Sequence, residues 1–134
     1  MRRILQAICD ALPSSMNAAI GDRTGAMPPY VSVWGPPGNR DHDAPIGPSG
    51  AITASVGITC TAQATGIALD MAEAAIQALT PGRDVGALAV DGRHVQIRFS
   101  DARPVEIDRE VNTPVAHPAY AVLLFDIYAQ PAAP

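Results

Sequence analysis

The chain has 134 residues and a formal net charge of −4. This length is typical of one domain and lets about two thirds of the unfolded surface be buried, so the chain needs no disulfide framework. The acidic balance argues against a nucleic-acid binder that works by neutralising phosphates. The two cysteines, Cys9 and Cys60, are expected to be buried free thiols. No apolar run reaches transmembrane length, and Asp10 and Pro13 interrupt any signal-peptide core.

The first part of the chain is predicted to hold one helix and one strand. Apolar residues recur at helical spacing over 2–12, which predicts an amphipathic helix, and another helical turn is expected over 16–20. Alternation over 30–34 predicts a strand whose valines face the core, with Trp34 on the opposite side. Residues 35–50 are rich in Pro, Gly, Asp and Asn, which predicts a long exposed loop.

The chain is organised around residues 51–79, where an alternating strand runs directly into an amphipathic helix. Ile52, Val56 and Cys60 share one parity of the strand over 51–60, so its apolar groups are expected on one face. Thr61 is the expected N-cap of the helix, which should end at Thr80-Pro81-Gly82 because proline cannot continue it. Its predicted apolar stripe consists of Ala68, Leu69, Met71, Ala72, Ala75, Ile76 and Leu79.

A hairpin and a final strand are predicted in the last third. Residues 88–90 and 95–99 flank Asp91-Gly92, a pair typical of two-residue hairpin turns. Residues 101–118 are charged and interrupted by prolines, so we expect an irregular segment. The strand over 119–129 has apolar side chains on both faces: if its odd-numbered residues face the helices, those on the even-numbered side require another cover.

These elements predict one α+β domain over 1–134. We expect a mixed or antiparallel sheet of about four to five strands, with two helices packed mainly on one face. A long loop should follow the first strand.

Nothing in the sequence predicts catalysis, a cofactor or a metal site. The cluster Arg40, Asp41, His42 and Asp43 could suggest a small metal-dependent hydrolase, but it lacks ligand spacing and lies in a Pro/Gly-rich loop, so a solvated loop is favoured. Cys60 could act as a nucleophile, but its parity favours a packed thiol. Trp34 fits either partial burial or an interface anchor.

The order of landmarks resembles that of the tail terminator, or tail-completion, proteins of long-tailed siphophages. The matching pieces span most of the chain in order: 29–35 (PYVSVWG), 58–60 (ITC), 68–79, 90–93 (VDGR), and Val111, Pro114 and Ala119-Tyr120. The resemblance implies an α+β subunit that forms a hexameric ring on the head-proximal end of the tail tube. Such a ring stops tube polymerisation and offers a surface to the head connector, without catalysis or a cofactor.

The implied partners are further copies of this chain, the tail tube protein and a head–tail connector or stopper protein, in the virion at the head–tail junction after assembly in the host cytoplasm. A head-side stopper ring of similar size stays an alternative. DNA would pass through the lumen without specific binding, beside the candidate lumen or axial residues Arg40, Asp41, His42 and Asp43. Candidate contacts to subunits or tube are Trp34, Arg103, Glu106, Arg109, Glu110, Tyr120, Val122 and Leu124. The charged members of that set also fit a solvated surface.

Overall fold

A computed structural model of the chain describes residues 2–21, 27–35, 52–90, 93–107 and 117–129. Within these ranges the chain forms two α-helices, one short 3-10 helix and seven strands. In chain order they are α1 (Arg2–Ala11), the 3-10 helix (Ser14–Met16), β1 (Ala18–Ile20), β2 (Tyr30–Trp34), β3 (Ile52–Ala62), α2 (Thr65–Leu79), β4 (Val85–Val90), β5 (Arg93–Ala102), β6 (Glu106–Ile107) and β7 (Ala119–Ala129).

The strands form one mixed, curled sheet in the order β1-β2-β3-β7-β5-β4, with β6 also paired to β7. The pair β1–β2 is parallel, and the other pairs are antiparallel. Helix α1 contacts both edge strands, β1 and β4, because the sheet curls far enough to bring its two edges to one helix. A helix placed against sheet edges hinders their pairing with foreign strands.

Strand β7 lies at the centre of the sheet and divides it into two different faces. Its side chains alternate between the faces, as the pleat of a strand requires. The odd-numbered residues are buried in the same core as both helices, and they are Ala119, Ala121, Leu123, Phe125, Ile127 and Ala129. The other face, which we call the outer face, carries the even-numbered residues of β7. The predicted α+β class, with both helices on one face, is therefore confirmed.

The sheet has more strands than the four to five expected from the sequence. The turn predicted over 16–20 is wrong because Asn17 takes a left-handed conformation after the 3-10 helix, and Ala18–Ile20 then pairs with β2. The irregular segment predicted over 101–118 is wrong in part, since β5 runs to Ala102 and β6 pairs with β7. Both extra strands depend on partners distant in sequence, which a local pattern does not reveal.

Helix α2 starts later than predicted and buries most of the predicted stripe, with Leu69 as the exception. Thr61 is not its N-cap, because Thr61 still pairs with Tyr120 in the sheet and the helix begins at Thr65. Leu69 is 49% exposed. The buried stripe consists of Ala68, Met71, Ala72, Ala75 and Leu79.

Small residues dominate that stripe because α2 lies close to the sheet. The end of the helix approaches β4 closely at Gly86, where a Cβ atom would overlap the carbonyl oxygen of Leu79. The helix ends at Leu79 with Thr80 as its C-cap, as predicted, and the Thr80 hydroxyl donates to the carbonyl oxygen of Ile76 at 2.7 Å. Left-handed backbone follows at Arg83 and Asp84.

The other predicted helix and strands are present, although β3, β4 and β5 are longer or shifted relative to the predicted bounds. Helix α1 spans Arg2–Ala11, and β2 and β7 have the predicted bounds. The hairpin is confirmed by antiparallel pairing of β4 with β5, whose innermost pair is Val90 with Arg93. The loop predicted over 35–50 lies outside the described residues, apart from Gly35.

Candidate interaction surface

Four predicted interface residues lie on the outer face of the sheet: Trp34 on β2, and Tyr120, Val122 and Leu124 on β7. A row of register partners crosses it at mid-height: Trp34 on β2 lies opposite Gly57 on β3, which lies opposite Leu124 on β7. The next row joins Ser32, Thr59 and Val122. The antiparallel register therefore brings together an aromatic and two aliphatic residues from distant parts of the chain.

The Trp34 indole lies flat across Gly57. Its six-membered ring occupies the space that a Cβ atom of Gly57 would need, and its Nε1–H donates to the Thr59 hydroxyl at 3.1 Å. A glycine inside a strand allows this kind of close approach. The indole is thus fixed on the outer face and outside the core, while 40% of the Trp34 surface stays exposed.

The apolar residues of β7 on this face are only partly covered. Tyr120, Val122 and Leu124 are half-buried, and Tyr128 is 42% exposed. The sequence predicts that this row is exposed to water in a single chain. In the structure these residues are neither fully exposed nor part of the core. Among the described residues, both helices pack on the opposite face of the sheet.

A polar depression adjoins the apolar rows on the outer face. The Ser55 hydroxyl donates to Asp126 Oδ1 at 3.2 Å, and Arg98 is the register partner of Asp126 on β5. The depression has a volume of about 530 Å³ and is lined by Thr53, Ala54, Ser55, Gln96, Arg98, Asp126, Ile127 and Tyr128. A partner on this face would therefore meet apolar groups beside a carboxylate and a guanidinium.

At the other end of the outer face, two predicted interface residues bind each other within the chain. The Tyr120 hydroxyl donates to Glu106 Oε2 at 2.6 Å, and the two residues are register partners of β7 and β6. Nearby, the Arg103 backbone N–H donates to the carbonyl oxygen of Val122 at 2.9 Å. The segment after β5 is thus fixed to β7, with Arg103 and Glu106 exposed at the margin of the face.

Several predicted site residues lie outside the described ranges. They are Arg109 and Glu110 of the candidate interface and the cluster Arg40, Asp41, His42 and Asp43. In the described part of the chain, no group of three or more His, Cys, Asp or Glu residues could hold a metal ion. Within the same part, no helix combines the length and the apolar character needed to span a membrane.

Both cysteines are buried free thiols, as predicted. Burial raises the pKa of the Cys60 thiol from 9.0 to about 12, so this thiol stays protonated at neutral pH. Thiolate is the nucleophilic form of cysteine. Cys60 is therefore a packing residue of β3, as the parity of the strand indicates, and its thiol contributes no reactive group.

The sequence-based prediction missed Gly57, Thr59 and Ser55 as parts of this surface. A glycine inside an alternating strand was an available signal of close approach. Its partner Trp34 could not be inferred, because that assignment needs the register between β2 and β3. Comparison of the chain with models of protein families finds no match, and comparison with curated proteins finds none either.

Proposed function

We propose that this chain is a structural virion protein, the tail terminator subunit of a long-tailed phage. In this proposal, copies of the chain form a hexameric ring on the head-proximal end of the tail tube. The ring ends tube polymerisation and joins the tail to the head connector at the head–tail junction, after assembly in the host cytoplasm. In this proposal the protein acts by binding, without catalysis or a cofactor.

The observation that carries the proposal is the outer face of the sheet. Trp34, Val122 and Leu124 form an apolar centre there, and polar groups border it on two sides. Protein interfaces commonly combine an apolar, aromatic-rich centre with a polar rim. A second support is the resemblance of the ordered sequence landmarks to tail terminator proteins.

A closed ring places demands on such a surface. In a closed ring each subunit presents one surface to each of two neighbours, and the two surfaces must be complementary. The fixed indole of Trp34 lowers the entropy cost of binding, because its rotamer is already held by the Thr59 hydroxyl. We therefore assign the outer face to the contact with a neighbouring subunit or with the tube.

The mass of the purified protein is the first test. Light scattering coupled to size exclusion should give six times the 13.9 kDa of one chain at high concentration, and negative-stain images should show rings. Tail tube protein should bind in a pull-down, whereas portal or adaptor protein should not. Binding of portal or adaptor protein alone would instead identify a head-side stopper. A monomer that binds none of these proteins would overturn the proposal.

A further inference from the structure

We draw no further inference here: the strongest candidate, the half-exposed outer face of the sheet around Trp34 and Leu124 with its adjoining polar depression, belongs to the site already described, and nothing in the structure shows what covers it.

Discussion

The Trp34 indole lies in the space above Gly57 that any larger residue would fill with its own Cβ atom. The clashing atoms belong to the end of a side chain that is 40% exposed, so the indole can move away without disturbing the strands. This pair of residues therefore sets the shape of the outer face while contributing little to the core. It also gives a direct optical test, because Trp34 is the single tryptophan of the chain.

Gly57→Ala should displace the indole and leave the fold intact. We expect the tryptophan emission to shift to the red as the ring enters water. The free energy of unfolding should change by less than about 1 kcal/mol. The loss of the hydrogen bond to Thr59 destabilises the folded chain, whereas alanine lowers the backbone entropy of the unfolded chain relative to glycine, and the two effects offset each other. Fluorescence spectra and denaturant titrations of the two proteins measure both quantities.

Gly66→Ala is the matched control, since a Cβ atom at Gly66 in the first turn of α2 meets no atom within 4 Å. Its emission should equal that of the parent, and its unfolding free energy should rise by up to about 0.8 kcal/mol from helix propensity. A folded Gly57→Ala protein with unshifted emission would contradict the described position of the indole.

Gly86→Ala should destabilise the protein far more than Gly57→Ala. Here the obstructing atom is the backbone carbonyl oxygen of Leu79, which cannot rotate away. Overpacking of this kind costs about 1–3 kcal/mol, so the midpoint of thermal unfolding should fall by several degrees. Gly82→Ala is the control, because its Cβ atom would approach the Val85 carbonyl oxygen no closer than 3.4 Å. Equal midpoints of thermal unfolding in the two variants would show that the end of α2 does not lie in close contact with Gly86 of β4.

The phase of α2 can be tested with an aspartate scan over three neighbouring residues. Ala75 is fully buried, Ile76 is half-buried and Gln77 is exposed. Ala75→Asp should prevent folding, because it buries a charge without a partner, whereas Gln77→Asp should be nearly silent and Ile76→Asp intermediate. Circular dichroism and denaturant midpoints rank the three. Greater damage from Ile76→Asp than from Ala75→Asp would contradict the described phase of the helix.

This helix illustrates where sequence reasoning succeeds and where it stops. Its amphipathic pattern and its end at Thr80 are local properties, and both were predicted. Five of the seven residues of its predicted stripe are also buried, but Leu69 is not: hydrophobicity favours its burial, whereas the structure leaves it 49% exposed. The alternation of β7 predicted both faces of that strand, yet the pairing of Trp34 with Gly57 depends on a register that no local pattern contains.

Alkaline pH should destabilise the fold through Cys60. The raised pKa means that the folded chain keeps a proton that the unfolded chain loses above pH 9. The contribution of this thiol to stability is complete below pH 9 and is lost as the pH rises towards 12, by about 1.4 kcal/mol per pH unit. Denaturant unfolding between pH 8 and 11 should show this slope in the parent and a shallower one in Cys60→Ala. Equal slopes in the parent and in Cys60→Ala would show that Cys60 does not cause the loss of stability at alkaline pH.

The final prediction concerns Val122 and Leu124 on the outer face of β7. Both residues are half-buried within one chain, and their strand is already held by the odd-numbered core residues Leu123 and Phe125. Changing Val122 to Ser and Leu124 to Thr should therefore leave a cooperatively folded protein. If the outer face is the contact between subunits, the double variant should elute as a smaller species at concentrations where the parent forms rings.

Ile67 and Leu69 on α2 provide a matched control, because they are 45% and 49% exposed and lie on the helix rather than on the outer face. The double variant Ile67→Ser with Leu69→Thr should keep the ring, as judged by light scattering at the same concentration. Loss of the ring in this variant alone would move the interface to α2. If the parent is a monomer and the β7 variant unfolds, Val122 and Leu124 belong to the core of a single chain. Their apolar contacts would then lie within one molecule and not between subunits.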